Sequence, residues 1–360
     1  MKKRKLGSSD LMVSPLCLGS MTWGEQNSEK DAHKQMDAAL AAGINFIDTA
    51  ELYPVPPRAQ TQGLSETFIG NWLKRRKCRN KIILASKVAG RSSHLTWIRP
   101  GGTRLNRRHI TEACEASLKR LGVECIDLYQ IHWPDRLSAM MGYDHLVHSG
   151  VLEMAVTERE YLEVLRDLIR AGKIRHIGIS NETPRGLANY LRFAKDHKLP
   201  RVVSVQSPYN LLNRGFELDL ADKIGRARCG LLAYSPLAFG VLTGKYLDGA
   251  KPPKARLTLF AHQFDRYRGL SEDRAVYAYV RLARDFGFDP AQMALAYVVS
   301  RPFVTSTIIG ATTLKQLESD IQSLSLSLSE TLIEELDSVY AERFSLFAGS
   351  GGPEQDVDFM

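Results

Sequence analysis

Cysteine is sparse in this chain. Its 360 residues contain five, Cys17, Cys78, Cys114, Cys125 and Cys229, which lie far apart and form no C-x-x-C pair. That excludes the disulfide scaffold of a small secreted domain. An odd count in a chain this long points to reduced thiols and a cytoplasmic protein. Long apolar runs are missing too, and none approaches the ~18 residues of a membrane span, so no membrane partner is expected. The amino end, Met1-Lys2-Lys3-Arg4-Lys5, has the charge of a signal peptide, but Gly7-Ser8-Ser9-Asp10 stands where its apolar region belongs. Several chemical motifs are absent as well. Gly19-Ser20-Met21-Thr22-Trp23-Gly24 lacks the G-x-G-x-x-G spacing, and there is no P-loop, H-x-H, H-E-x-x-H or G-x-S-x-G. These absences argue against a Rossmann domain, a P-loop enzyme, a zinc protease and an α/β-hydrolase. Asp144, His145, His148 and Glu153 are potential ligands in a long insert expected to be flexible. Such a stretch reads as solvated, and no metal is expected.

The chain does carry a basic balance, +8 with 48 Lys and Arg against 40 Asp and Glu. The basic residues are scattered, which suits an anionic small ligand better than nucleic acid. Hydrophobic residues make up 44%, enough for a large core.

Eight short apolar runs each end in a small or polar residue. They are 16–18 before Gly19, 44–47 before Asp48, 82–86 before Lys87, 126–131 before His132, 174–179 before Ser180, 202–205 before Gln206, 231–233 before Tyr234 and 305–309 before Gly310. Helical stretches separate most of them, at about 28–42, after Ser65, 107–121, 157–171, from Pro184 to Pro200, 216–228, 271–287, 290–300, 313–323 and 329–340. Strand–helix alternation of this kind predicts a (β/α)8 TIM barrel, which needs roughly 250 residues. Residues 1–15 read as a β-hairpin that plugs the amino-terminal mouth. Residues 54–62, 90–106, 135–156 and 237–269 are long loops leaving the carboxyl ends of the strands, where such loops shape binding sites. The expected organisation is one domain over 1–347, with a disordered tail over 348–360.

The run endings point to chemistry. Asp48, Lys87 and His132 end three consecutive strands, and Tyr53 lies in the loop just above Asp48. A phenol titrates near pH 10, and a neighbouring cation favours its ionised form. Lys87 supplies that cation, Asp48 holds it, and His132 is placed to hydrogen-bond a carbonyl oxygen. Singly, Asp48–Lys87 also reads as a structural ion pair and His132 as a core histidine. Together they describe a site that protonates an oxygen while another group delivers a hydride. Trp23, Trp97 and Trp133 are candidate walls for a largely apolar or aromatic carbonyl substrate, with Trp97 equally readable as loop packing.

The same residues carry a resemblance. Asp48-Thr49-Ala50-Glu51-Leu52-Tyr53 followed by Gly63-Leu64-Ser65-Glu66 and Ile69-Gly70 resembles the D-T-A-x-x-Y…G-x-S-E-x-x-I-G signature of the aldo-keto reductases. Ala85–Lys87, Asp127–His132, Gly172–Asn181, Gln206–Asn210 and Tyr234–Tyr246 are similar to its later motifs, in order, from about Leu6 to Leu336. The Tyr-Pro-Val-Pro-Pro loop at 53–57 and Asn210-Leu211-Leu212-Asn213-Arg214 look closest to its bacterial Tas-like branch.

The resemblance implies a (β/α)8 barrel that reduces a small carbonyl compound with NADPH. It implies Tyr53 as general acid, tuned by Asp48 and Lys87, with His132 orienting the carbonyl. It also implies Ser180, Asn181 and Gln206 at the nicotinamide carboxamide, Tyr234 stacked on its ring, and Ser235, Leu237 and Gly240 around the pyrophosphate. Lys245 and Arg256 would face the 2′-phosphate or its neighbour, although Arg256 also reads as a solvated loop charge. Gly310, Thr312 and Gln316 would sit at the adenosine end. Where the family often has Glu-Asn, this chain has Ser319-Asp320, so Asp320 would accept from the adenine amine. Two other classes compete: a nucleotide-sensing regulatory subunit of the same fold, and a metal-dependent barrel hydrolase. Oligomeric state has no signature in the sequence.

Overall fold

A computed structural model of the chain describes residues 1–136, 155–261, 264 and 266–348, with side chains described through residue 343. Eight strands of the described residues close into an all-parallel barrel. They are β3 (Leu16–Gly19), β4 (Phe46–Asp48), β5 (Ile83–Val88), β6 (Ile126–Ile131), β7 (Ile174–Ser180), β8 (Val202–Pro208), β9 (Gly230–Tyr234) and β10 (Val304–Ile309). Each pairs with its successor, and β10 closes on β3 with Thr307 opposite Leu16. The strands read as near-continuous Val, Ile and Leu because both faces are covered.

The surrounding helices are α1 (Glu29–Ala41), α2 (Leu64–Arg76), α3 (Arg107–Leu121), α4 (Glu158–Arg170), α5 (Pro184–Asp196) and α6 (Phe216–Ala227). They continue with α7 (Arg256–Leu259), α8 (Leu270–Asp285), α9 (Pro290–Ser300), α10 (Leu314–Gln322) and α11 (Glu330–Ala348). Local chemistry sets several starts. Ser28, Thr157 and Thr313 each close a reciprocal capping box with the residue three positions on, and Thr183 and Asp289 cap helices that open on proline. Helix α4 buries Tyr161, Leu162, Val164, Leu165 and Leu168 on one face, the spacing of an amphipathic helix against the sheet.

The hairpin of β1 (Arg4–Lys5) and β2 (Met12–Val13) does plug the amino-terminal mouth. Its Leu6, Leu11 and Val13 pack with the inward-facing Cys17, Phe46, Ala85, Leu128, Val203, Leu232 and Ile308. Gly7 has φ +55°, and a Cβ there would lie 2.2 Å from the Val203 carbonyl oxygen. Only glycine fits that turn against the barrel floor.

The structure departs from the expected element map at two places. The stretch 237–269 contains α7 and two 3-10 turns, Ala238–Thr243 and Leu247–Gly249. The last helix runs to Ala348, well beyond residue 340. Residues 137–154 of the 135–156 insert, with Asp144, His145, His148 and Glu153, lie outside the described residues, as do residues 349–360 of the tail. All five cysteines are free thiols. No helix among the described residues is long and apolar enough to cross a membrane.

Candidate active site

The barrel interior changes character over two residues. Phe46, Ala85, Leu128 and Leu232 form an apolar layer with the hairpin. Successive side chains on a strand alternate faces, so the next inward positions are two residues further on. Those positions are Asp48, Lys87, Gln130 and Tyr234. A polar floor therefore sits on the apolar plug, at the carboxyl ends of the strands.

Lys87 is the hub of this floor and is fully buried. Its ammonium donates to Asp48 Oδ2 at 2.5 Å, to the Thr49 carbonyl at 2.9 Å and to the Tyr53 hydroxyl at 3.4 Å. Burial alone would push Lys87 down, but Asp48 and Tyr53 outweigh it and raise its pKa, so the ammonium stays charged. Asp48 Oδ1 accepts from the amides of Gln130 at 3.1 Å and Gln206 at 2.9 Å. The His132 ring stands edge-on to Tyr53 with centroids 5.5 Å apart. Burial, with Lys87 adding, drives His132 well below the usual imidazole pKa, so it is a neutral donor. Its Nδ1 is buried with no hydrogen-bond partner among the described residues. The four sequence-derived catalytic candidates thus converge.

One detail differs from expectation, and a second narrows one. Burial raises the Tyr53 phenol above its ordinary value and outweighs the lowering by Lys87. The expected lowering of the Tyr53 pKa by Lys87 is corrected: burial outweighs it, and the phenol holds its proton. Gln206, expected at a carboxamide, already spends its amide nitrogen on Asp48 and on Gln130 Oε1 at 3.3 Å. Gln130 escaped the sequence reasoning. Its signal was its position two residues beyond the inward Leu128.

Asn181, with φ +55°, ties the site together. Its Nδ2 donates to the His132 carbonyl at 2.9 Å and to Ser180 Oγ at 3.2 Å, and its Oδ1 accepts from the Tyr234 hydroxyl at 2.8 Å. Burial pushes the Tyr234 phenol up to about 12, against Arg266, which hydrogen-bonds its hydroxyl. After β9 the backbone turns sharply, with positive φ at Ser235, Ala238, Phe239 and Gly240. Asn210 Nδ2 holds the Ser235 carbonyl at 2.9 Å, and Gly240 N–H donates to the Leu237 carbonyl at 2.8 Å. Gly240 has φ +91°, a conformation that suits glycine, and Lys245 Nζ lies 2.9 Å from where its Cβ would be.

Lys245 and Arg256 have no carboxylate partner among the described residues. Burial, then Arg256, lowers the pKa of Lys245, and burial lowers that of Arg256 to about 10. Two half-buried cations that repel each other beside a strained glycine turn fit an anionic group such as a dinucleotide phosphate. Arg256 also stands over the Phe239 and Phe264 rings, at 5.8 and 5.4 Å, and within electrostatic reach of Tyr53. It is therefore not the solvated loop charge that the sequence also allowed.

At the far end, Gly310 is exposed, and the Gln316 side-chain oxygen accepts from Thr312 N–H and Oγ1, both at 2.9 Å, in the cap of α10. Asp320 differs from expectation. It is only 5% exposed, and burial, with Asp289 adding, pushes its carboxyl up to about 7. It is no freely solvated acceptor.

The three tryptophans divide. Trp23 is wholly buried, its indole N–H donating to Gln35 of α1 at 3.1 Å. It is a core residue, which corrects its assignment as a wall. Trp133 packs with Leu52, Tyr53, Ala89 and Leu95, its indole N–H donating to the Arg91 carbonyl at 2.8 Å. Trp97 is 40% exposed on the 90–106 loop. Leu95 and the partly buried Met21, Val55 and Ile98 complete the apolar surround of Tyr53, and the sequence reading did not single them out.

Compared with known proteins, residues 15–341 match the model of the Aldo/keto reductase family. The chain is 52% identical to "Protein tas" of Escherichia coli (strain K12) over 344 residues, 94% of this chain and 98% of that relative. It is 39% identical to an "Aldo-keto reductase" of Babesia bovis over 277 residues, 72% and 96% respectively. It is 28% identical to "L-glyceraldehyde 3-phosphate reductase" of Escherichia coli (strain K12) over 354 residues, 95% and 93%.

Proposed function

The chain belongs to the aldo/keto reductase family, and from that membership and the geometry of its site we propose that it reduces an aldehyde or ketone to an alcohol with NADPH, using Tyr53 as general acid. The observation that carries this reading is the Tyr53 hydroxyl 3.4 Å from a buried ammonium that Asp48 holds at 2.5 Å. NADPH, when bound, supplies the hydride to the carbonyl carbon. Tyr53 supplies the proton to the carbonyl oxygen. Its raised pKa keeps that proton available across the neutral range, and the charged Lys87 stabilises the phenolate left behind. His132, neutral, hydrogen-bonds the same oxygen and positions it.

Ser180, Asn181 and the free side-chain oxygen of Gln206 would hold the carboxamide, with Tyr234 on the ring. Ser235, Leu237, Gly240, Lys245 and Arg256 would hold the phosphates, and Gly310, Thr312 and Gln316 the adenosine end. The apolar residues around Tyr53, with Trp133 and the exposed Trp97, favour a largely apolar or aromatic carbonyl compound. Five free thiols are in keeping with work in the reducing cytoplasm.

The test is NADPH oxidation with a panel of aromatic and aliphatic aldehydes, in wild type and in Tyr53→Phe. Tyr53→Phe is expected to lose about 10²–10⁴-fold in kcat while NADPH affinity stays unchanged. Retention of most of the turnover would remove Tyr53 from the role. Tight nucleotide binding without steady-state turnover in wild type would instead favour a nucleotide sensor.

A further inference from the structure

Beyond the four residues at the strand ends, one buried ion pair joins the catalytic loop to a second loop of the same mouth. Glu51 lies two residues before Tyr53. Its main-chain N–H donates to the Lys87 carbonyl at 3.1 Å, and its main-chain oxygen accepts from the Gln62 amide at 2.5 Å. Its carboxylate reaches across to the residue after β5, where Oε1 accepts from Ala89 N–H at 2.7 Å. Arg99, from the middle of the 90–106 loop, meets that carboxylate with two parallel bonds, 3.2 Å to Oε1 and 2.8 Å to Oε2. Both partners are buried, Glu51 at 2% and Arg99 at 5% exposure. Glu112 of α3 is 3.9 Å from Arg99 Nε but half exposed, a weak second contact.

Arg99 anchors the part of the loop that touches Tyr53. Leu95 shares one apolar cluster with Leu52, Tyr53 and Trp133, and Ile98 packs against that cluster. The arms of the loop are joined by paired backbone bonds between Ser92 and Thr103, at 3.0 and 2.8 Å. The Trp133 indole is fastened to the Arg91 carbonyl of the same loop. An apolar pair of similar volume would serve stability about as well, since a buried ion pair gives back most of its attraction as desolvation. A planar fork on a carboxylate adds direction, which apolar contact does not.

We infer that Arg99 is a positioning residue for the reaction: through Glu51 it latches the 90–106 loop onto Tyr53 and holds the apolar wall against which the carbonyl substrate is placed. This rests on the proposed reductase function. The latch also has a signature that does not depend on turnover. Trp97 is 40% exposed, whereas Trp23, Trp72 and Trp133 are buried. Releasing the loop frees Trp133 from Arg91.

The experiment compares wild type, Arg99→Met, Arg99→Lys and the double variant Glu51→Gln/Arg99→Met. It reads Tm, acrylamide quenching of tryptophan fluorescence, NADPH affinity, and kcat and KM for one reduced aldehyde. Arg99→Met leaves a buried carboxylate unpaired and is expected to lower Tm. The double variant removes both charges and keeps an acceptor for Ala89 N–H, so its Tm is expected to return towards wild type. Its kcat is nevertheless expected to stay about ten- to a hundredfold down, with Trp133 newly quenchable and NADPH affinity unchanged. Wild-type kcat and quenching in that variant would overturn the inference and leave the pair purely structural. Should the double variant not fold, Arg99→Lys decides, because it keeps the charge and loses the fork. A loss of about tenfold in kcat supports the latch, and wild-type kcat and quenching refute it. If wild type reduces no aldehyde, the proposed function fails, while quenching still decides whether Arg99 holds the loop.

Discussion

Tyr53, His132 and Asp320 show burial acting on single residues in one direction, towards the neutral form. The phenol rises, the imidazole falls and the Asp320 carboxyl rises to about 7. The neutral phenol of Tyr53 keeps the proton it donates, and the neutral imidazole of His132 keeps one N–H donor without placing a second positive charge beside Lys87. Asp320 has consequences for stability. Its free carboxyl titrates near 3.8, so between that pH and about 7 the unfolded chain has released a proton that the folded chain retains. Asp320 therefore costs nothing below about pH 4, and its destabilisation grows between about pH 4 and 7 and is constant above that. The full effect is on the order of 4 kcal/mol. Asp320→Asn is expected to raise Tm at pH 8 and to change it little at pH 4. Thermal melts at the two pH values check this, and an equal gain at both would assign the effect to packing rather than to charge.

The segment after β9 joins backbone shape to charge. Positive φ at Ser235, Ala238, Phe239 and Gly240 bends the chain so that Lys245 lies on Gly240, and α7 brings Arg256 over two phenylalanine rings. Neither cation has a carboxylate partner among the described residues. The net charge of +8 adds long-range steering of an anionic cofactor. NADPH is expected to be preferred over NADH in kcat/KM, and Arg256→Ala is expected to erode that preference. Equal constants for the two cofactors in wild type would defeat the assignment. An unchanged preference in the mutant would leave discrimination to Lys245 or the cap of α10.

Across the whole molecule, the apolar plug and the polar floor sit at opposite mouths of the barrel. The hairpin closes the amino-terminal end, and the polar floor opens at the other. Gly7→Ala drives a Cβ to 2.2 and 2.8 Å from the carbonyl oxygens of Val203 and Arg228, in a left-handed turn. The expected loss is roughly 2–4 kcal/mol of stability, seen as a lower Tm, with kcat and KM for the carbonyl substrate unchanged at a temperature where the variant is folded. A change in KM without a change in Tm would contradict this separation of the two ends.

Local patterns in the sequence determined the strand order, most of the helices and the meeting of Asp48, Tyr53, Lys87 and His132. Strand runs, caps such as Ser28 and Thr157, and the rule that barrel strands end at one mouth all act within a few residues. The tertiary structure alone decided the rest. Gln206 turns to Asp48, 158 positions away, and Arg99 meets Glu51 across 48. Trp23 lies under α1 rather than at the mouth, and the phenol of Tyr53 is raised rather than lowered. Each of these depends on how much water is removed and on which distant groups replace it. Desolvation and long-range pairing are properties of the packed barrel, and no short stretch of chain encodes them.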